Sequence, residues 1–330
     1  MFFHPSIILF NFFLVFSVIM IICMNSWFMI WFFIEMNLLF FIPLIMTKKS
    51  KYSVEAGLKY FFIQTLSSIL ILIGLLLLFL NLDIYNFFFV SGLGIKLGLV
   101  PFHQWVVNIV SSMNWSLIWM LLTIQKFGPF MLFSYMYTMS EDIEYLVYVV
   151  SIGCAIVGSL GGLFTSSLHK IMAFSSISHS SWMTLSLVVS VHLLIIYFIF
   201  YSVILFSVLY VLGSHYLSSL NHIFLKLDFS ISLGMGVGLL SMGGMPPFSG
   251  FIPKFIVMIE FISLYNYFVL IFLLFGVFVS LFFYSRMFIF NFIFLSSKNL
   301  FFYSSKSKMN IVFYVNMVGL LMIPLSMYMY

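Results

Sequence analysis

Charged side chains are scarce in this sequence. Only 6% of its 330 residues are Asp, Glu, Lys or Arg, while 64% are apolar and the mean hydropathy is +1.23. A water-soluble fold needs more polar surface, since globular domains typically carry about 25% charged residues. The composition therefore excludes a soluble protein and predicts an all-α polytopic membrane protein, whose unit is a helix of about 20 residues.

Cysteine is almost absent, and the motifs of soluble redox enzymes are missing. Cys23 and Cys154 both fall in apolar stretches and match no metal or redox spacing. The sequence has no Walker A loop, no dinucleotide fingerprint and no Cys or His cluster suited to a metal, haem or iron–sulfur centre. We therefore predict no disulfide framework, no metal and no cofactor on this chain, so that any redox chemistry takes place on other chains.

Apolar runs long enough to cross a bilayer recur along the whole chain. None shows the alternation of a membrane β-strand, so the runs predict helices rather than a closed barrel. The first run lacks the basic flank and the cleavage site of a secretory signal, and we interpret it as the first span. The sequence predicts eleven spans, at residues 6–24, 27–46, 57–80, 85–106, 114–138, 144–165, 171–189, 191–212, 231–259, 266–292 and 311–329.

The loop charges are distributed unevenly between the two sides of the predicted membrane. With eleven spans, the basic loop residues all lie on the side of the N-terminus, which the positive-inside rule places on the cytoplasmic or matrix face. They are spread over several loops, which argues against nucleic-acid binding. The basic residues are Lys48, Lys49, Lys51, Lys170, Lys226, Lys298, Lys306 and Lys308, with Arg286 near a helix end; the opposite side carries Asp83, Glu141, Asp142, Glu144 and Glu260.

A short motif, Gly-x-x-Pro-Phe, occurs in the fourth predicted span at 98–102 and again in the ninth at 244–248. The two copies hold corresponding places in two five-helix blocks, which enter the membrane in opposite senses because five is odd. Inverted repeats of this kind are typical of ion transporters. We therefore predict a first five-helix repeat at 1–140, a second at 141–292, and a basic loop with a C-terminal helix at 293–330.

Glycine and proline in the two motifs predict that the fourth and ninth helices are broken near mid-membrane. Broken helices leave backbone carbonyls and helix ends that suit ion or proton binding. A proline kink used only for packing is the alternative. The residues that would form the breaks are Gly98, Pro101, Gly244, Pro246 and Pro247.

Five charged residues lie within the predicted spans, although each charge near the bilayer centre costs about 2.5–3.5 kcal/mol. Glu35, Lys96 and Lys126 fall at mid-span, and Lys254 follows the second break. Lys59 lies near a span edge, from which its amine can reach the interface. Charges kept at this cost normally line an ion path, and we predict a proton relay. A static Glu–Lys pair is the alternative, but one glutamate cannot neutralise three central lysines.

Two histidines are further candidates for the relay. His103 lies seven residues after Lys96, on nearly the same face of a continuous helix. It can pass protons, or it can be a hydrogen-bonded packing residue. His179 lies in a hydrophilic stretch that can organise a water chain, or whose serines can bond back to their own helix. The serines are Ser175, Ser176, Ser178, Ser180 and Ser181.

Six segments of the sequence, in family order and spanning about two thirds of the chain, resemble a known family. They are similar to the subunit 2 family of mitochondrial NADH:ubiquinone oxidoreductase (respiratory complex I), antiporter-like membrane subunits related to cation/proton antiporters. Eleven helices match the shortened animal form of that family, which lacks the first three helices of the fourteen-helix bacterial fold. The segments are IEMNLLFFIPL (34–44), EAGLKYFFIQ (55–64), KLGLVPFHQW (96–105), IQKFGP (124–129), LHKIMAFSSISHSSWM (168–183) and GGMPPFSGFIPKF (243–255).

The resemblance implies a core membrane subunit of the proton-pumping oxidoreductase in the mitochondrial inner membrane, with its N-terminus in the matrix. Glu35 would pair with Lys96 on the broken helix, Lys126 would pass protons along the membrane axis, and Lys254 would be the terminal lysine. FMN, iron–sulfur clusters, NADH and ubiquinone would belong to other subunits. The implied partners are other membrane subunits, including further antiporter-like ones, accessory subunits and phospholipids such as cardiolipin.

Two other functions stay open at this point. A stand-alone cation/proton antiporter of the related transporter family would use the same inverted repeat and the same buried lysines. A purely structural membrane spacer would need neither. Co-purification separates the first two functions, because a subunit of the oxidoreductase migrates with a very large NADH-oxidising assembly and an antiporter purifies alone.

Overall fold

Helices account for the regular structure of this chain. A computed structural model describes residues 5–47, 50–82, 84–139, 143–220, 229–263, 266–297 and 316–317, and every element in those ranges is helical apart from one isolated bridge between Ser167 and Ser219. The all-α prediction is confirmed. Several predicted loop charges lie outside the described residues, namely Lys48, Lys49, Asp83, Glu141, Asp142, Lys226, Lys298, Lys306 and Lys308.

The chain divides into two compact units, Met1–Val147 and Tyr148–Tyr330. Helices of the first unit are α1 (Pro5–Cys23), α2 (Trp27–Ile45), α3 (Lys51–Phe79), α4 (Tyr85–Leu97), α5 (Gln104–Val110), α6 (Trp115–Leu122) and α7 (Ile124–Met139). Helix α8 (Ile143–Phe164) begins at the end of the first unit and runs mostly in the second. The second unit continues with α9 (Leu168–Val189), α10 (Val191–Ser214), α11 (Phe229–Gly243), α12 (Phe251–Ile262) and α13 (Tyr267–Ser297).

Seven helical segments in the described part of the chain are long and apolar enough to cross a membrane. The chain is therefore a polytopic membrane protein, as its composition predicts. The predicted spans 85–106, 171–189 and 231–259 correspond to shorter or more polar helices, and 311–329 lies outside the described residues except for 316–317. The seven segments are Pro5–Cys23, Trp27–Ile45, Lys51–Phe79, Trp115–Thr138, Ile143–Phe164, Val191–Ser214 and Tyr267–Ile289.

Helix α3 begins six residues earlier than predicted, at Lys51 instead of residue 57. The Ser50 hydroxyl accepts from the Ser53 N–H and the Ser53 hydroxyl accepts from the Ser50 N–H, which satisfies two free donors at the helix start. Lys59 lies directly before the apolar part of this helix, which begins at Tyr60. Its ammonium lies 2.5 Å from Glu55, one turn earlier, and 51% of the Lys59 side chain is exposed.

The fifth predicted span, 114–138, contains a break that the sequence did not predict. Thr123 has φ −119° and ψ −81°, so the backbone leaves the helical region between α6 and α7. The Thr123 hydroxyl donates to the Trp119 carbonyl at 2.6 Å, and the Thr123 carbonyl accepts from the Lys126 N–H at 2.9 Å. Helix α7 thus restarts just before Lys126, and the lysine lies in its first turn.

Candidate functional site

Helix α4 ends at Leu97, directly after Lys96. Gly98 has φ 68° and ψ 39°, in the left-handed region that only glycine adopts without strain. A Cβ on Gly98 would lie 2.3 Å from the side chain of Val106 in α5, so glycine is also required by close packing. The Trp105 indole donates to the Ile95 carbonyl at 2.9 Å, and the same carbonyl accepts from the Gly98 N–H at 3.1 Å, so two donors satisfy it at the helix end.

Pro101 and His103 occupy the turn between the two half-helices. The turn covers residues 98–103, and α5 starts at Gln104. His103 is partly buried, and its carbonyl accepts from the Val106 N–H at 3.1 Å, which helps to begin α5. The helix is therefore not continuous between Lys96 and His103, and the seven-residue spacing does not place the two side chains on one helix face.

Lys96 is buried, with 8% of its surface exposed. Its ammonium lies 3.5 Å from the Oε1 atom of Gln64 in α3, a long hydrogen bond, and it interacts electrostatically with the half-buried carboxylate of Glu35 in α2. The lysine also stands in the last turn of α4, where the helix dipole favours a positive charge. These three features offset part of the cost of burying a cation at this position.

A cavity of about 20 Å³ lies between Lys96 and Lys126 in the first unit. That volume is enough for about one water molecule, because an occupied cavity needs roughly 10–15 Å³ of this kind of space. Both lysines are buried, and Lys126 is only 4% exposed. The other polar residues of the cavity wall come from three different helices and are Asn37, Tyr60, Gln64 and Gln125.

Gln125 links the helices around this cavity. Its Nε2 atom donates to Asn37 Oδ1 at 2.9 Å, and its Oε1 atom accepts from the Tyr60 hydroxyl at 3.4 Å. The two contacts fix the orientation of the amide and connect α2, α3 and α7. The sequence analysis missed Asn37, Tyr60, Gln64 and Gln125 as functional residues, because a single neutral polar residue in an apolar span gives no signal of its own.

Replacing Gln125 by methionine is expected to destabilise the first unit by about 2 kcal/mol, because it leaves the buried Asn37 carbonyl oxygen and the Tyr60 hydroxyl without this partner. The temperature at which half of the purified protein loses its native state measures the effect. Tyr60→Phe is the matched control, since it removes only the longer of the two hydrogen bonds. Equal midpoints for the two variants would contradict the linking role of the amide.

In the second unit, α11 ends at Gly243, and Gly244 has φ 84°. The Lys254 ammonium, from α12, donates to the Gly243 carbonyl at 2.8 Å and to the Met242 carbonyl at 3.4 Å. A cation thus satisfies the free carbonyls at the C-terminus of a broken helix, where the dipole favours it. Pro246 and Pro247 lie in the turn that follows, before α12 begins at Phe251.

Asn316 joins the second break to its neighbours. It accepts from the Ser241 hydroxyl at 2.6 Å and donates to the Ser207 hydroxyl at 3.1 Å, while its carbonyl accepts from the Ser249 N–H at 3.0 Å. The residue belongs to the predicted last span and was not recognised as a structural residue from the sequence. It connects that segment with α10, with α11 and with the turn after the break.

His179 and Lys254 line a second, smaller cavity of about 10 Å³. The hydroxyl groups of α9 around His179 all donate to the carbonyl three residues earlier in the same helix, at 2.6–2.9 Å. Their hydrogens are therefore engaged by the helix itself, as one of the two sequence interpretations has it. The residues in this ladder are Ser175, Ser176, Ser178, Ser180, Ser181, Thr184 and Ser186.

Three buried tyrosines from α10 and α13 lie beside this part of α9. The Tyr197 hydroxyl lies 2.9 Å from His179 Nδ1, and the Tyr201 ring packs on the imidazole with a centroid distance of 5.0 Å. The Tyr201 hydroxyl faces Ser176, and the Tyr284 hydroxyl faces Ser175, in both cases without a well-formed hydrogen bond. The sequence analysis missed these tyrosines, because nothing in the sequence distinguishes them from the many other aromatic residues of the apolar spans.

The predicted site residues thus fall into two groups, one in each unit. Glu35, Lys96 and Lys126 come together in the first unit, and His179 and Lys254 come together in the second. Lys59 belongs to neither group, because it is exposed and paired with Glu55. Within the described ranges, no set of three or more His, Cys, Asp or Glu residues could hold a metal ion. The arrangement suits the movement of protons between buried amines and small polar cavities.

The sequence matches the family described as NADH:quinone oxidoreductase/Mrp antiporter, TM, over residues 24–282. It is 37% identical over 286 residues to NADH-ubiquinone oxidoreductase chain 2 of Anopheles gambiae, which covers 83% of this chain and 82% of that protein. It is 34% identical over 256 residues to the protein of the same name from Equus caballus, which covers 73% of each.

Solved structures share the fold. A chain of respiratory complex I from Thermus thermophilus with bound aureothin has a TM-score of 0.80 at 19% identity, over 96% of this chain and 78% of that one. A chain of the Mrp complex from Dietzia sp. DQ12-45-1b has a TM-score of 0.73 at 17% identity, over 82% of this chain and 57% of that one. At such identities the likeness concerns the fold alone.

Proposed function

Since the chain belongs to the NADH:quinone oxidoreductase/Mrp antiporter membrane family, we propose that it acts as the proton-translocating chain 2 of NADH:ubiquinone oxidoreductase. Its relatives of that name match most of their own length and most of this chain, which favours this function over a stand-alone antiporter. In this proposal electrons pass from NADH to ubiquinone on other subunits. FMN, the iron–sulfur clusters and both substrates are bound there.

The pairing of Lys96 with Lys126 across one polar cavity carries the proposal. Glu35 lies where its field stabilises the Lys96 ammonium, so a movement of that carboxylate or a change in its charge alters the proton affinity of Lys96. The proton released from Nζ is taken up by water in the cavity and then by the amine of Lys126. Gln64, Gln125 and Asn37 supply the neutral polar groups that solvate the proton on the way.

The second unit receives the proton in the last stage of the proposed relay. His179 and Lys254 line a common cavity, and Lys254 returns its proton to the exit side. The capping of Gly243 by the ammonium links the charge of Lys254 to the end of the broken helix. Protonation at this position therefore stabilises the helix end, and deprotonation leaves its carbonyls without their strongest donor.

The proposed architecture has eleven spans in two inverted repeats. The seven long apolar segments, α9 and the two interrupted pairs α4/α5 and α11/α12 account for ten, and 311–329 is the eleventh. Two breaks of the same construction support the repeat, because each helix ends at a glycine with positive φ in a Gly-x-x-Pro-Phe motif. The positive-inside rule then puts the N-terminus in the matrix of the mitochondrion. The proposed partners include other antiporter-like subunits, accessory subunits and cardiolipin.

Replacing either Lys96 or Lys126 by methionine is expected to lower proton-coupled NADH:ubiquinone turnover by about tenfold per assembled complex, because each removes one of two amines that serve the same cavity. Turnover and proton uptake in inner-membrane vesicles measure the effect. Lys51→Met, which removes an exposed lysine at the start of α3, is the control and is expected to behave as the wild type. Wild-type turnover in both buried-lysine variants would rule out the relay.

A further inference from the structure

The hydroxyl oxygen of Tyr197 lies 2.9 Å from the Nδ1 atom of His179. The tyrosine is 1% exposed and the histidine 6%, so this contact lies in the protein interior, between neighbouring helices α9 and α10. A buried hydrogen bond of this kind holds the plane of an imidazole, because it anchors one of the two ring nitrogens.

We infer that Tyr197 is a positioning residue for His179, which holds the ring so that Nε2 exchanges protons with the cavity that the ring shares with Lys254. The inference rests on the proposed function and names a residue that the relay needs beyond its charged groups. The two ring nitrogens lie on opposite sides of the ring, so a partner held at Nδ1 leaves Nε2 on the side away from the Tyr197 hydroxyl.

A hydroxyl is suited to this position in every protonation state of the histidine. The neutral ring can accept the Tyr197 O–H at Nδ1 or donate an N–H to its oxygen, and the imidazolium donates from both nitrogens. Because the tyrosine oxygen both donates and accepts, the contact persists when a proton arrives at Nε2 and when it leaves. Phenylalanine has the same shape and none of this capacity, so the oxygen atom can be tested alone.

Tyr201 provides the matched control. It lies one turn later on the same helix, is also buried, and packs its ring against the same imidazole at a centroid distance of 5.0 Å. Its hydroxyl faces Ser176 instead of the histidine. Tyr201→Phe and Tyr197→Phe therefore remove the same atom from the same environment, and only the second removes the partner of Nδ1.

The test compares the two variants in the assembled complex in inner-membrane vesicles. Tyr197→Phe is expected to lower coupled turnover by about fivefold, the effect of one lost neutral hydrogen bond, with KM for NADH and for the quinone unchanged. The ratio of the rates in H2O and D2O is expected to rise, because proton transfer at His179 becomes more limiting. Tyr201→Phe is expected to keep the wild-type rate and the wild-type isotope ratio.

Three outcomes separate the inference from the proposed function. Loss of turnover in Lys96→Met with wild-type behaviour of Tyr197→Phe overturns only the positioning role. Equal losses in Tyr197→Phe and Tyr201→Phe, without a change in isotope ratio, also overturn it, because packing would then explain both. Wild-type turnover of Lys96→Met and Lys126→Met overturns the relay itself. If Tyr197→Phe does not assemble, Tyr197→His restores a donor and acceptor, and a wild-type rate in that variant supports the inference.

Discussion

Replacing Lys254 by methionine is expected to lower proton-coupled turnover by about a hundredfold, the effect of removing a proton-transfer group, and also to reduce the amount of assembled protein. Lys254 lines the cavity of the second unit, and its amine donates to the Gly243 and Met242 carbonyls at the end of α11. Methionine has a similar length but no donor. The substitution therefore removes the carrier and leaves buried carbonyls unsatisfied.

Lys254→Arg separates these two losses. Arginine keeps the positive charge and the donors that satisfy the α11 carbonyls, but it stays charged in proteins and does not release a proton. The arginine variant is expected to assemble normally and to turn over as slowly as the methionine variant. Native gels and turnover per assembled complex measure the two effects. Proton pumping at the wild-type rate by Lys254→Arg would show that this lysine is a structural cation only.

Gly250→Ala is expected to prevent folding of the second break. A Cβ on Gly250 would lie 1.7 Å from the backbone carbonyl oxygen of Ser241 in α11. Because the neighbour is backbone, no side-chain rotation relieves the overlap, and we expect a loss of more than about 4 kcal/mol, in the range that only severe defects reach. The amount of this chain in the isolated complex should fall close to zero.

Gly94→Ala is the control for that experiment. In α4 an added Cβ would meet only Phe102, at 4.0 Å, so the space is open. Alanine is favoured over glycine inside a helix by roughly 0.5–1 kcal/mol, and this variant is expected to assemble at least as well as the wild type. Normal assembly of Gly250→Ala would mean that the close approach of Gly250 to α11 is not required.

The buried charged residues of the candidate site could be recognised from the sequence, because a charge in an apolar span has few explanations. Glycine with proline likewise predicts a helix break, and α4 and α11 end next to Gly98 and Gly244. The break at Thr123 has neither residue at the break itself, and no local pattern in the sequence indicates it. The start of α3 was placed too late because its first turns hold Lys51, Glu55 and Lys59, which depress the local hydropathy.

The neutral partners of the site residues could not be predicted. Gln64, Gln125 and Tyr197 are ordinary residues in apolar helices, and their importance depends on which helices meet. Asn316 is separated from its partner Ser207 by more than a hundred positions. Sequence periodicity describes one helix at a time, so it identifies a buried face and does not identify what that face contacts.

The hydroxyl ladder of α9 determines which hydrogen-bond role its side chains can play toward their surroundings. Each of these hydroxyls donates its hydrogen to a carbonyl of its own helix, so only the lone pairs of its oxygen remain for other partners. Ser178 and Ser181 present such oxygens to the cavity shared by His179 and Lys254. These two serines therefore serve the cavity as hydrogen-bond acceptors, while its donors come from other side chains such as Lys254 and Trp182. Acceptors of this kind complement the Lys254 ammonium in the same cavity.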